Sequence, residues 1–177
     1  MKKWTIDPDH TVATFSVRHM MVSNVHGQFN KISGTIHFDP ADIPHSSVEV
    51  NIDATAIYTG ISKRDEHLRS EDFLDAGNHP RITFKSTKAE SAGNTRCKVT
   101  GDLAIRGITR QITFEAEYFG PVKDPFEESG MSIGFVASAV INREEYGMTW
   151  NVAMESAGVM VGKEVKITLE VEADLVS

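Results

Sequence analysis

The sequence predicts an all-β protein: an eight-stranded antiparallel barrel, interrupted once by a short helical segment near residues 62–76. Two observations carry most of this. Apolar and polar residues alternate with period two through most of the chain, as strands with one buried face require. The alternating runs are joined by mostly short turns, which suits an up-and-down path whose closure removes exposed sheet edges.

The first run, residues 11–20, points Ala13, Phe15, Val17 and His19 one way and Thr14, Ser16 and Arg18 the other. Residues 28–39 supply Ile36 and Phe38, with Phe29 out of phase, which predicts a bulge near Gly34. Residues 47–57 give Val48, Val50, Ile52, Ala54 and Ala56; residues 81–88 give Ile82 and Phe84. Residues 97–105 give Val99, Gly101, Leu103 and Ile105, and residues 110–119 give Ile112, Phe114, Ala116 and Tyr118. Residues 131–142 give Met131, Ile133, Phe135, Ala137, Ala139 and Ile141. The last run, 163–175, sets Val165, Ile167, Leu169, Val171, Ala173 and Leu175 against Lys166, Thr168, Glu170, Glu172 and Asp174. Between the third and fourth runs, Ser62 and Asp65 have capping-box spacing, and the helix they open aligns Arg64, His67 and Leu68 and sets Asp65 over Arg69. Ser70-Glu71-Asp72-Phe73 reads as a second short start, with Gly77 and Pro80 as stop signals.

The 177 residues suffice for one domain, taken as 1–177, and contain no repeat or linker. A net charge of −7 repels phosphate backbones, so nucleic acid is not an expected partner. Cys97 is the single cysteine and reads as a small buried hydrophobe. The N-terminus lacks the apolar stretch of a signal peptide, and no run has transmembrane length. The expectation is a cytoplasmic protein without stable membrane insertion.

An eight-stranded barrel either fills itself with side chains or holds one small ligand. The many small inward residues (Ala13, Ala54, Ala56, Gly101, Ala116, Ala137, Ala139 and Ala173) leave room for a ligand, or fit where the barrel tapers. The larger inward residues are the candidate lining of an apolar interior: Phe15, Val17, Phe38, Ile52, Phe84, Leu103, Ile105, Phe114, Ile133, Phe135, Ile167 and Leu169. In an up-and-down path the connections near 20–27, 58–80, 106–109 and 143–162 share one mouth. They gather His19, His26, Arg64, His67, Arg106, Arg143 and Trp150 there. His19 and Arg143 each end an apolar row, where a polar group must be paired or bind something. Asp65, Glu144, Glu145 and Glu155 are the available internal partners; a ligand head group is the alternative. His19, Arg64, His67, Arg106, Arg143 and Trp150 are therefore head-group candidates. An anion would suit them, and Arg143→Ala is expected to change which ligands are preferred more than to abolish binding. At the other end, Trp4, Ile6 and His10 are expected to plug and hydrogen-bond the barrel.

The pieces Trp4-Thr5-Ile6-Asp7, Asp9-His10-Thr11, Phe15-Ser16-Val17-Arg18-His19 and Gly27-Gln28-Phe29 resemble the YceI-like family, lipocalin-like polyisoprenoid-binding proteins. So do Arg64-Asp65-Glu66-His67-Leu68, Pro80 to Thr87, Gly101 to Gly107, Arg143 to Met148 and Val161-Gly162, in that order along nearly the whole chain. Thr11 stands where the family usually has Ser, and Tyr146 where Phe is commoner. The resemblance implies a lipocalin-like barrel carrying an isoprenoid-type lipid, such as a polyprenyl phosphate or a quinone-like molecule, and makes a homodimer plausible.

An enzyme is the first rival. No HxH, HExxH, HxxxH or Walker spacing occurs, and no catalytic residue, metal or cofactor is expected, although His19, His26 and His67 with Asp65 could converge at the mouth. The second rival acts through a protein or dimer interface. The loop Glu144 to Met160, with Met148, Trp150, Met154 and Met160, reads equally as such an interface or as a lid.

Overall fold

Among the described residues, ten strand segments occupy eight positions around a closed antiparallel barrel. The computed structural model describes residues 1–126, 130–156 and 158–176. The strands are β1 (Lys2–Ile6), β2 (Val12–His19), β3 (Ser23–Phe29), β4 (Ile32–Phe38), β5 (Ser47–Asp53), β6 (Arg81–Ser91), β7 (Arg96–Ile105), β8 (Ile108–Lys123), β9 (Met131–Asn142) and β10 (Val161–Leu175). One α-helix, α1 (Ser62–Arg69), lies among the described residues. From β4 to β10 each strand pairs with the next.

Two positions in the ring are each shared by two short strands. Along one edge β10 pairs with β9 from Glu164 to Asp174. Along the other it pairs first with β2, Val161↔His19 through Glu170↔Val12, and then with β1, Ile6↔Ala173 and Trp4↔Leu175. The jog between β1 and β2 is a 3-10 turn, Pro8–His10, tied down at Glu172. Asp7 N–H donates to the Glu172 carbonyl at 2.9 Å. The Thr11 hydroxyl donates to the same carbonyl and accepts from Glu172 N–H at 3.2 Å. The second shared position holds β3, which pairs with β2, and β4, which pairs with β1 and β5. Phe29 and Ile32 are both buried although three positions apart, so the change of phase falls at Asn30 and Lys31. The expected bulge near Gly34 is thus displaced: Gly34 sits in regular register opposite Val50.

One end of the barrel is plugged by aromatic rings. Trp4 is 1% exposed and donates its indole N–H to the Phe38 carbonyl at 3.3 Å. The Phe38 ring meets Tyr118 and Phe135 edge-on, at 5.0 and 5.2 Å between centroids. His10 takes no part in this plug. It is exposed and pairs with Asp7 at 2.6 Å, a bond that raises the imidazole pKa and lowers that of the Asp7 carboxyl.

The other end collects the β2–β3 turn, α1 and its flanks, the β7–β8 turn and residues 143–160. Met20 N–H bonds the Met160 carbonyl at 2.8 Å, and Arg106 bridges the Gly147 and Glu71 carbonyls. The helix is shorter than expected. Its N-cap is Ile61, not Ser62, and Asp65 accepts from Thr59 N–H at 2.9 Å and from the Thr59 hydroxyl instead of closing a capping box. Residues 71–74 form turns.

The small inward residues divide between the two roles expected of them. Ala13, Ala116 and Ala137 face open interior space. Gly101 is filled instead, since a Cβ there would stand 2.6 Å from the Phe84 ring and 2.4 Å from the Lys85 carbonyl. Ala54 and Ala56 leave the barrel wall for a 3-10 turn.

A further 3-10 turn, Arg143–Tyr146, ends in a phenol that is 1% exposed and has no hydrogen-bond partner among the described residues. Burial, helped by the charge of Glu145, pushes its pKa up to about 12, so it is neutral. Removing an unpaired buried hydroxyl costs nothing and relieves a desolvation penalty. Tyr146→Phe is expected to hold or raise the thermal midpoint, by up to about 1 kcal/mol of stability. Trp4→Ala is expected to cost about 3–5 kcal/mol in denaturant unfolding, because it empties the plug.

Candidate functional site

The barrel encloses a cavity of about 380 Å³ between the aromatic plug and the mouth. That lies within the range of roughly 300–1,000 Å³ typical of small-molecule sites. Its wall is built from inward rows of the strands. Phe15, Val17, Phe38, Ile52, Phe84, Leu103, Ile105, Phe114, Phe135, Ile167 and Leu169 all line it. Ile133 does not. It is 1% exposed, pairs across the sheet with Ala173, and belongs to the packed zone beyond the cavity floor. Alternation correctly gives the face on which Ile133 lies; it carries no information about depth along the barrel axis.

Several inward residues, among them Phe15, Val17, Val165, Ile167 and Leu169, are only half-buried, and the surface they retain faces this cavity. The Phe15 ring lies across Gly27, where a Cβ would come within 2.3 Å of it. Phe84 and Phe114 meet edge-on at 5.2 Å. Cys97 is part of the wall, and desolvation raises its thiol pKa, keeping it an uncharged apolar contact. Ile6, Phe29, Ile43, Leu68, Phe73 and Met148 also line the cavity and were not candidates from sequence. Ile6 and Phe29 sit on the half-strands, and the other four lie on turns, the helix and the 143–160 segment, where no period-two signal exists.

The mouth is where the polar candidates gather, with unequal roles. Arg143 is 2% exposed yet lines the cavity. Its guanidinium donates to four backbone carbonyls: Nε to Gly162 at 2.7 Å, one terminal nitrogen to Met148 and to Trp150 at 3.0 Å, the other to Val161 at 3.1 Å. No carboxylate pairs with it among the described residues, and Glu144 pairs with Lys163 at 3.3 Å. Burial lowers its pKa while Glu144 opposes the shift, and a guanidinium stays charged under such conditions. Arg143 therefore fastens the Met148–Gly162 segment across the end of the barrel. Met148, Trp150 and Met160 of that segment turn into the cavity, which gives it the geometry of a lid.

The lid meets the helical segment through an aromatic cluster. The His67 ring stands edge-on to Trp150 at 4.7 Å and to Phe73 at 5.0 Å, and His67 Nε2 is 2.9 Å from the Asp72 carboxylate. Arg64 bonds the Thr59 hydroxyl and carbonyl, both at 2.7 Å. His19 lines the cavity with no side-chain hydrogen bond among the described residues. Arg106 is a correction: its guanidinium is spent on the Gly147 and Glu71 carbonyls, outside the cavity lining. It stands in a left-handed turn (φ 51°), and its reach to two distant carbonyls has no signature in the sequence. His26 is on the barrel's outer face, in a groove with Thr14, Ser16 and Lys166. The mouth histidines thus do not converge. Among the described residues, the group that brings a histidine and two carboxylates within 4.8 Å is Asp7, His10 and Glu172, on the outside at the β1–β2 jog.

Comparison with known proteins accords with this architecture. The family described as YceI-like domain matches residues 4–173. A UPF0312 protein of Staphylococcus aureus is 37% identical over 172 residues, covering 97% of each chain. The crystal structure of Burkholderia cenocepacia BcnA superposes with a TM-score of 0.80 at 22% identity, covering 94% of this chain and 98% of the other. A polyisoprenoid binding domain from Saccharophagus degradans, implicated in plant cell wall breakdown, has a TM-score of 0.69 at 13% identity, covering 99% and 100%. These last two likenesses are of fold. With a family match that runs from Trp4 in the plug to Ala173 in the closing strand, the chain belongs to the YceI-like family.

Proposed function

We propose that this chain binds a long apolar isoprenoid-type lipid, a polyprenyl phosphate or a quinone-like molecule, inside the barrel, with its head group at the mouth, and that it carries or stores this lipid without catalysing a reaction on it. The observation that carries the reading is the cavity, whose wall is almost wholly aliphatic and aromatic and whose arginine and histidine groups (Arg18, His19, Arg64, His67 and Arg143) gather at the mouth. The polyisoprenoid-binding neighbour of the same fold supports it. Each methylene removed from water contributes about 0.8 kcal/mol. A hydrogen bond to a charged head group contributes roughly 1.5–3 kcal/mol. The tail therefore dominates affinity and the mouth sets orientation.

Arg143 is a poor head-group ligand, because four carbonyls already occupy most of its donors. His19 and Arg64, at the half-exposed margin of the cavity, are better placed to meet a head group. The rival reading, an interface formed by residues 144–160, loses weight because Met148, Trp150 and Met160 are turned inward.

Ala137 pairs across the sheet with Ala116 and Leu169 and, like both of them, lines the cavity. Ala137→Phe is expected to weaken binding of a fluorescent polyprenyl probe by more than about tenfold, with circular dichroism unchanged. Undiminished binding would place the lipid elsewhere. Arg143→Met removes the guanidinium donor from the Met148, Trp150 and Gly162 carbonyls, while Val161 keeps the Asn151 amide at 2.7 Å, and is expected to cost on the order of 3 kcal/mol. Amide exchange over residues 148–162 and release of bound probe should both accelerate, with head-group preference unchanged. A switch of head-group preference with unaltered exchange would instead assign Arg143 to the ligand.

A further inference from the structure

An apolar rim surrounds the mouth. Met20, Met21 and Val22 in the β2–β3 turn are 44%, 52% and 77% exposed. Ile61 at the start of α1 is 53% exposed, and Val152 on the lid is 42% exposed. The turn and the lid meet directly, and α1 meets the lid through His67 and Trp150. Met20 N–H bonds Met160, Met160 N–H bonds Val152, and a Cβ on Gly158 would touch Met21. The cavity wall reaches the surface in the same place, through Arg18, His19 and Arg64.

Two features mark the rim as more than scattered surface hydrophobes. The first is backbone strain. Met20 and Met21 both have positive φ, 49° and 61°, as the central residues of a tight hairpin turn. Asn-Gly is the low-cost solution for such a turn, and each non-glycine residue there costs about 1–2 kcal/mol. Two methionines are held at the tip against that preference, and strain of this kind concentrates at functional positions. The second is charge. The rim segments 18–24, 58–64 and 150–160 carry Arg18, Lys63 and Arg64 against one carboxylate, Glu155, in a chain whose net charge is −7. Apolar side chains backed by a local excess of cations are complementary to the phosphate and upper acyl layer of a phospholipid bilayer.

We propose that this rim docks the barrel, mouth down, on a phospholipid bilayer surface, so that an apolar ligand passes between membrane and cavity without crossing water. The occupant of the rim is the bilayer itself; the contact is peripheral and reversible, and no helix among the described residues is long and apolar enough to span a membrane. The need for direct transfer rests on the lipid-binding reading above, whereas docking on the bilayer can be measured by itself.

The test uses vesicles of phosphatidylcholine with the whole chain, the double variant Met21→Asp/Val22→Asp, and Val140→Asp as a control. Val140 is 56% exposed on the barrel wall. In flotation, the parent chain and Val140→Asp should rise with the vesicles and the double variant should stay behind. With a fluorescent polyprenyl probe preloaded in donor vesicles, uptake by the parent should rise linearly with vesicle concentration, as collision requires. The double variant should take up probe about tenfold more slowly. Its equilibrium affinity for the same probe delivered from ethanol should be unchanged. Equal flotation of parent and double variant, or no flotation of either with uptake independent of vesicle concentration, would overturn the docking proposal and leave the cavity reading standing. Flotation of the parent, lost in the double variant, without probe binding in either format would uphold docking and sink the lipid-binding reading.

Discussion

Closure of the sheet rests on β10, which hydrogen-bonds to β9 along one edge and to two successive strands along the other. An open sheet leaves a row of unpaired backbone groups, and a closed one leaves none, but closure fixes strand number and therefore interior width. At eight positions the interior is just wide enough to choose between filling itself and holding a guest. The jog at Pro8–His10 decides how that choice varies along the axis. Below it, β1 brings Trp4 into the floor and packs it against the end of β4. Above it, β2 and β3 diverge from that floor with Phe15, Val17 and Val25 facing the cavity. The Thr11 and Asp7 bonds to Glu172 hold the jog in register, so the solid and hollow halves are set by a few polar contacts at one seam.

The mouth obeys a different constraint. A buried guanidinium without a carboxylate must find its compensation in dipoles, and Arg143 finds it in carbonyls of Met148, Trp150, Val161 and Gly162. The Val161 carbonyl accepts from the Asn151 amide as well, whereas those of Met148 and Trp150 are met by Arg143, so charge and loop stabilise each other. This arrangement leaves the less buried polar groups, His19 and Arg64, available at the margin, beside the hydrophobic rim. Cavity, lid and rim then form one gradient, from apolar interior through a polar collar to an apolar lip at the surface.

Much of this was legible in the residues. Period-two rows define six of the eight positions from β5 onward, because Ile82, Phe84, Phe114 and Ile167 alternate with residues that face outward. The half-strands were harder. In β3 the inward set is Val25, Gly27 and Phe29, and Gly27 hides the pattern because its missing side chain is the space taken by the Phe15 ring. The phase change at Asn30 and Lys31 was visible as a disagreement between Phe29 and Ile36, but its position depends on where β1 gives way to β2 on the neighbouring position. Arg143 was readable as a buried cation at the end of an apolar row. Its carbonyl partners belong to an aperiodic segment and were not. Ile133 and Arg106 failed for a shared reason: sequence gives the face of a strand and the position of a turn, whereas depth and long-range hydrogen bonding belong to the assembled barrel.

The most direct measurement is mass spectrometry of an organic extract of the chain purified without detergent. A stoichiometric isoprenoid-type lipid, released on extraction and retained through size exclusion, is the result this account expects. Protein free of lipid that also fails to take up polyprenyl alcohols, phosphates or quinones from solution, with its fold intact, would contradict the central claim that the barrel interior is a lipid site.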